Sequence, residues 1–308
     1  MFSIVMYHYV RDLPSSRFPR IKGMQVEDFE RQLRWITKHY EVCTTQQVIA
    51  AATGESRLPP NACLLTFDDG FIDHYSIVFP RLEEHGIAGS FYPAAAPIKH
   101  HQVLDVHKIH FLLASAEDYK SLAQETFSLL KPYRQCHTIP NDEDLSRSYA
   151  RRGRLDPPEI MLMKGVLQRG LPEPVRVEVL NELFRRHVTD DEISFAKELY
   201  MDMAQLRCMA RHGMVIGGHG DRHLPLQTLD RKQQHEEIVG TLRFLEKVYD
   251  GQVKEWVMCY PWGTYNDVTL EVLREAGGAL GLAYGGTPVN DLSRPLELTR
   301  VDAHDLRL

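Results

Sequence analysis

The chain has 308 residues, 43% of them hydrophobic and 25% charged, with a net charge of −6. That length can bury a substantial core, as one large α/β barrel or two medium domains, and the composition is that of an ordinary globular chain rather than a disordered one. The acidic balance and the lack of a basic run interleaved with aromatics argue against nucleic acid as a partner, and no stretch is apolar over the width of a bilayer, so no integral membrane segment is expected.

The first strand is expected over Phe2 to Tyr7, an apolar start that reads as a buried strand and not as a leader. Val26, Phe29, Leu33, Ile36 and Tyr40 then recur at helical spacing. Ala62 to Phe67 reads as a second strand. A helix carrying Ile72, Tyr75, Phe79 and Leu82 follows, kinked at Pro80 and closed by Gly86. Ile87 to Tyr92 is the next strand, ended by Pro93. From residue 96 to 199 helical patterns dominate, with Val177, Leu180, Phe184 and Val188 on one face. The strand-helix rhythm resumes with a helix capped by Asp202 and Gln205 and stopped by Gly213. Strands are then expected at Met214 to Gly218, Glu255 to Cys259, Ala279 to Tyr284 and Leu296 to Thr299, with helices Asp230 to Tyr249 and Asn266 to Glu275 between them.

Alternating strands and helices imply a mostly parallel sheet. The expected fold is therefore α/β, a distorted (β/α) barrel of seven or eight strands formed by residues 1–95 and 200–308. Residues 96–199 form an inserted helical subdomain, expected to act as a cap. The five cysteines, Cys43, Cys63, Cys136, Cys208 and Cys259, are scattered and free of C-x-x-C spacing, which fits a reducing compartment and sets the expectation of a cytoplasmic protein.

Three clusters fall at the C-terminal ends of expected strands, where such barrels keep their chemistry. Thr66-Phe67-Asp68-Asp69-Gly70 places two carboxylates side by side, a costly arrangement without a cation or hydrogen bonds to offset it. Beside a metal, one carboxylate can bind the ion while the other takes a proton from water. A helix cap followed by a turn would use the same residues. His219-Gly220-Asp221-Arg222-His223 spaces two imidazoles four apart, so that they converge on one ion if the segment turns helically. In Cys259-Tyr260-Pro261-Trp262-Gly263 a rigid turn can aim a backbone N–H at the site, and Tyr260 and Trp262 offer flat faces for a sugar ring. His8, ending the first strand, lines the same expected pocket.

In this order the three clusters resemble carbohydrate esterase family 4, the polysaccharide deacetylases with the nodulation-type homology domain, whose hallmarks are T-F-D-D-G, H-x-x-x-H and R-x-P-x-G. The resemblance spans residues 1–95 and 200–308. It implies a general base at Asp68, metal ligands at Asp69, His219 and His223, and an oxyanion donor in the Tyr260 N–H. The implied metal is zinc, although the family tolerates other divalent ions. Three positions depart from the pattern. Cys259 replaces the arginine that orients the catalytic aspartate, and Arg300, on the last strand, is the residue expected to compensate; it is grouped with Tyr260, Trp262 and His8 as a substrate-side residue. Gly220 stands where Ser or Thr usually follows the first histidine. The final histidine motif is altered, which leaves His304 as the candidate acid.

The expected activity is metal-dependent removal of an N-acyl (acetyl) group from an amino sugar used in cell-surface glycan biosynthesis, the substrate being nucleotide-linked, lipid-linked or an oligosaccharide. The alternatives are an N-deformylase on a nucleotide-linked sugar and a non-catalytic carbohydrate-binding relative. The sequence says nothing of oligomeric state.

Overall fold

Seven strands carry the site in the computed structural model, which describes residues 2–153, 156–289 and 291–306. They are β1 (Phe2–Tyr7), β2 (Ala62–Asp68), β3 (Ser90–Tyr92), β4 (Val215–Ile216), β5 (Trp256–Cys259), β6 (Gly278–Tyr284) and β7 (Leu298–Asp302). All pair in parallel, in the order β4-β3-β2-β1-β7-β6-β5. The two ends of this path meet at a single rung, where the Gly218 N–H donates to Val257 O (2.9 Å) and the Cys259 N–H donates to Gly218 O (2.8 Å). A Cβ at Gly218 would sit 2.1 Å from Thr241 Cγ2, so only glycine lets the chain approach closely enough to make it. The result is a distorted (β/α) barrel of seven strands. A short strand, Glu41–Val42, also pairs with the lower end of β2.

Alternation along the strands sorts the side chains between two faces. Val5, Cys63, Leu65, Phe67, Phe91, Trp256 and Met258 pack outward with Phe29, Leu33, Ile36, Ile238 and Leu245 of the helices. Phe2, Ile4, Ala62, Leu64, Tyr92, Val257, Leu280, Leu282 and Leu298 fill the interior. The interior register then turns polar toward the C-terminal ends, along Leu64-Thr66-Asp68 on β2 and Leu298-Arg300-Asp302 on β7, so an apolar floor supports a polar mouth.

Local expectations differ in detail. The kink before Pro80 is a π-helical turn, His74–Val78, running into helix Phe79–Glu84 with Pro80 in its first turn, where its missing N–H costs nothing. The Asp202–Gln205 capping box forms, as do equivalent boxes at Asp230 and Asn266. Tyr249, which ends the expected helix, is 40% exposed; its hydroxyl accepts from the Ile216 N–H and donates to Ile216 O, tying helix Arg231–Tyr249 to β4.

Contacts divide the chain into two compact units. The barrel takes residues up to Asp12, then Gly23–Gln102, and from Ala196 onward; the other unit is Leu13–Lys22 with Val103–Phe195. The second unit is helical and has a core of its own around Ile109, Leu112, Leu130, Leu167, Val179 and Leu183. Within it the almost fully buried Lys108 ammonium donates to Asn181 Oδ1 (2.6 Å) and Glu192 Oε2 (2.9 Å), the pairing a buried cation needs.

Candidate active site and metal centre

The interior register of β2 aims Asp68 into the barrel, and the chain reverses immediately after it. Asp69 (φ 74°) and Gly70 (φ 71°) are both left-handed, and a Cβ on Gly70 would lie 2.6 Å from Pro93 Cβ. This reversal, with the Asp69 N–H bonded to Tyr92 O (2.9 Å), gives the two adjacent carboxylates different surroundings.

Asp69 faces both imidazoles of the second cluster. Its Oδ1 is 3.5 Å from His219 Nε2 and 3.5 Å from His223 Nε2, and the three ligand atoms all lie within 4.8 Å of one another. With metal–ligand bonds of about 2.0–2.1 Å, neighbouring ligands of a tetrahedral ion stand about 3.3–3.4 Å apart. The spacing therefore suits a shared cation, and one carboxylate with two imidazoles is the donor set of a catalytic divalent site with a position left open. His219 Nδ1 donates to Cys259 O (2.8 Å), which fixes the tautomer that presents Nε2 as a ligand. Burial alone would lower the His219 pKa, yet it is held well above its usual value by its acidic surroundings. Cys259 does not supply that charge, since burial raises its own thiol and keeps it neutral; Asp69 and Asp68 do. The site calls for positive charge.

The histidines do not converge through a helical turn, as expected, but through an irregular loop with Gly220 (φ 77°) and His223 (φ 59°) left-handed. Helix Ala95–His100 grips this loop: the Ala95 N–H donates to Gly220 O (3.2 Å), the Ala96 N–H to Asp221 O (2.8 Å), and Lys99 pairs with Asp221 (2.5 Å).

Asp68 is bound differently. Arg300 donates from Nη1 to Oδ1 (2.8 Å) and from Nη2 to Oδ2 (2.7 Å), and each residue is only 1% exposed. Cys259 Sγ lies 3.4 Å from Oδ2, and His8 Nε2 approaches to 4.0 Å from the open side. Burial would raise the Asp68 carboxyl, but the Arg300 guanidinium, with lesser help from His219 and His8, lowers it to about 2. Asp68, His219 and Cys259 also lie close enough to hold an ion, but a guanidinium already occupies both Asp68 oxygens, so this second grouping is a poor metal site.

Three assignments need correction. Arg300 is expected both to compensate for the absent motif arginine and to face substrate; its buried guanidinium is committed to Asp68, which fits the first expectation, positioning the carboxylate from β7, and corrects the second. Tyr260 offers neither an oxyanion N–H nor a sugar platform: its N–H donates to Leu282 O (2.9 Å), its ring is fully buried, and its hydroxyl donates to Leu296 O (2.7 Å). His304 is exposed, with its Nδ1 3.0 Å from Asp302 Oδ1, whereas the exposed histidine beside Asp68 is His8.

Trp262 remains at the mouth, 44% exposed, with its ring centroid 5.9 Å from that of His223. Its φ of 62° is one that only the surrounding turn can hold. Tyr284, which sequence reading passed over, stands beside this turn: a Cβ on Gly263 would lie 2.4 Å from Tyr284 Cβ, and Tyr284 is 52% exposed. Its place at the C-terminal end of a barrel strand was the available signal.

A family profile described as Polysaccharide deacetylase matches residues 186–280, a stretch that includes His219, His223 and the Cys259–Gly263 turn but not Asp68 or Asp69. The chain is 19% identical over 280 residues to YxkH of Bacillus subtilis (strain 168), which its name assigns to the polysaccharide deacetylases; the match covers 91% of this chain and 63% of that protein. It is 30% identical over 83 residues to the poly-beta-1,6-N-acetyl-D-glucosamine N-deacetylase of Escherichia coli (strain K12), covering 27% of this chain and 12% of that protein. The chain thus spans less than two thirds of the curated relatives it matches. Its fold is that of the Streptococcus pyogenes deacetylase PplD, solved in complex with acetate, at a TM-score of 0.59 and 14% identity over 98% of this chain and 91% of that one. The profile match over residues 186–280 and the common fold bear out the resemblance carried by the motifs: the chain is similar to the polysaccharide deacetylases, of the carbohydrate esterase family 4 type.

Proposed function

We propose that this chain hydrolyses the N-acetyl group of an amino sugar within a glycan, using a divalent cation, zinc by the character of the donor set, held by Asp69, His219 and His223. The observation that carries this reading is the placement of two imidazole nitrogens at 3.5 Å from one Asp69 oxygen, beside a second aspartate clamped by arginine. A cation bound there supplies Lewis acidity toward the acyl oxygen and makes a nearby water more acidic.

The protein's own groups divide the remaining work. Asp68 takes the proton of the attacking water; clamped by Arg300 it stays ionised at any working pH but is a weak base, so it depends on the water being acidified first. His8, half-exposed and 4.0 Å from Asp68 Oδ2, protonates the departing amine. In the third cluster the amides of Cys259, Tyr260 and Gly263 bond to Gly218, Leu282 and Tyr260 carbonyls, and Pro261 has no N–H. The oxyanion donor is therefore the Trp262 N–H. The exposed rings of Trp262 and Tyr284 supply faces on which a sugar stacks. The name of the Escherichia coli relative supports an N-acetylglucosamine glycan as the substrate class.

The Arg300 fork also speaks against a non-catalytic relative, since the orienting function missing at Cys259 is restored from another strand. The test is acetate release from N-acetylglucosamine oligomers by zinc-loaded protein, by chelator-treated protein and by Asp68→Asn. Loss of turnover in both treated samples is expected, by 100-fold or more for Asp68→Asn on the usual scale of about 10²–10⁴ for a general base. Unchanged turnover in Asp68→Asn would overturn the mechanism.

A further inference from the structure

We infer that Glu237, which no motif marks, is the positioning residue that holds the two histidine ligands in register and thereby sets the affinity of the site for its cation. The inference rests on the metal-site reading above and adds to it a residue outside the ligand set.

The loop from His219 to His223 has no regular structure of its own and contains two left-handed residues, so its shape must be imposed by what it packs against. Glu237, on helix Arg231–Tyr249, is 1% exposed. Its Oε2 accepts the Asp221 N–H (3.0 Å) and the Arg222 N–H (2.9 Å), and its Oε1 accepts Arg222 Nε–H (2.7 Å). The two amides are consecutive and lie between the two ligands, so one carboxylate fixes the peptide units that separate His219 from His223. Successive N–H groups turned toward one anion form a concave nest that favours full negative charge. The fit is close: a Cβ at Gly220 would lie 3.3 Å from Glu237 Oε2, and one at Gly240, a turn further along, 3.3 Å from Asp221 Cβ. With helix Ala95–His100 gripping the Gly220 and Asp221 carbonyls, the loop is held by its N–H groups on one side and its C=O groups on the other.

Glutamine in place of Glu237 keeps the volume but turns one acceptor oxygen into an NH₂ donor. It then cannot accept from both loop amides and Arg222 together. Partners that orient metal ligands from outside the ligand set typically contribute about 10–100-fold in metal affinity. Glu237→Gln is expected to weaken Zn²⁺ binding in that range, and Glu237→Asp, which keeps the charge one methylene short, by less.

The experiment titrates metal-free full-length protein with Zn²⁺ against a chromophoric chelator, for wild type, Glu237→Gln, Glu237→Asp, His219→Ala and Leu245→Ala. Leu245 is fully buried about two turns along the same helix and serves as a control for lost stability alone. Amide hydrogen exchange at Asp221 and Arg222 in the metal-free proteins is the second readout. Expected are weaker Zn²⁺ binding in Glu237→Gln and faster exchange at one or both amides, with Leu245→Ala matching wild type in both readouts. Wild-type affinity in Glu237→Gln and Glu237→Asp, with binding lost in His219→Ala, overturns this inference alone, as does an equal loss in Leu245→Ala. Zn²⁺ binding that His219→Ala does not change overturns the metal site and the inference together.

Discussion

Replacing Arg300 with methionine isolates the electrostatics of the site, because it removes the guanidinium while keeping most of the side-chain volume. Asp68 stands at about 2 against an ordinary value of 3.8; at about 1.4 kcal/mol per tenfold change in acidity, that difference is worth about 2–3 kcal/mol of folding stability. The wild-type contribution is complete above pH 4 and lost as pH falls toward 2, because the carboxyl is more acidic folded than unfolded. In Arg300→Met burial is opposed only by the lesser pull of His219 and His8, so the carboxyl rises from its wild-type position and a buried charge is left without its guanidinium at neutral pH. Breaking such a pair from one side costs about 3–5 kcal/mol. At about 2 cal/mol/K of unfolding entropy per residue, this corresponds to a Tm lower by about 5–8 °C. The gap from wild type should be widest near pH 8 and should narrow toward pH 5, as the carboxyl takes up a proton. The acid limb of the deacetylation rate should move upward in pH at the same time. Differential scanning fluorimetry across pH, with the rate profile measured on the same samples, checks both. A Tm within about 1 °C of wild type at pH 8, or a gap that widens on acidification, would refute the reasoning.

Further outcomes follow from the same geometry. His8→Asn should lower kcat on unactivated N-acetyl substrates by about 10²-fold or more, with less effect where the leaving amine needs no proton; steady-state rates on the two substrate types check this. Trp262→Ala and Tyr284→Ala should raise KM for N-acetylglucosamine oligomers while changing Tm by less than about 1–2 °C, because both rings are largely solvent-exposed. Chelation should lower Tm, since a bound cation stabilises the folded state by about 2.7 kcal/mol at a hundred times its Kd, and added Zn²⁺ should restore it. An Asp69→Asn variant should show no such response.

Much of the site is local in sequence and was legible there. Thr66-Phe67-Asp68-Asp69-Gly70 and His219-x-x-x-His223 lie within five residues each, and alternation along β1, β2 and β7 shows which side chains enter a barrel once a barrel is expected. The assignments that failed depend on how distant segments register. The Tyr260 N–H is consumed because β5 runs beside β6 with Cys259 opposite Leu282, a pairing that no local pattern encodes. The coil conformation at His219 to His223 is imposed by helix Ala95–His100 and by Glu237, not by its own composition.

Spacing along the chain was sufficient to name the carboxylates and the imidazoles, because each group of them is delivered by one strand end and the few residues after it. The altered third motif already pointed to Arg300, but only the folded barrel decided that its guanidinium reaches both oxygens of Asp68. β7 lies next to β1, and β1 next to β2, so a side chain 232 residues away in sequence reaches across the interior to the carboxylate, while the local candidate, Cys259, carries no charge to offer. Burial makes that choice binding: a carboxylate removed from water takes whichever cation the packing brings within hydrogen-bond reach, however remote it is along the chain.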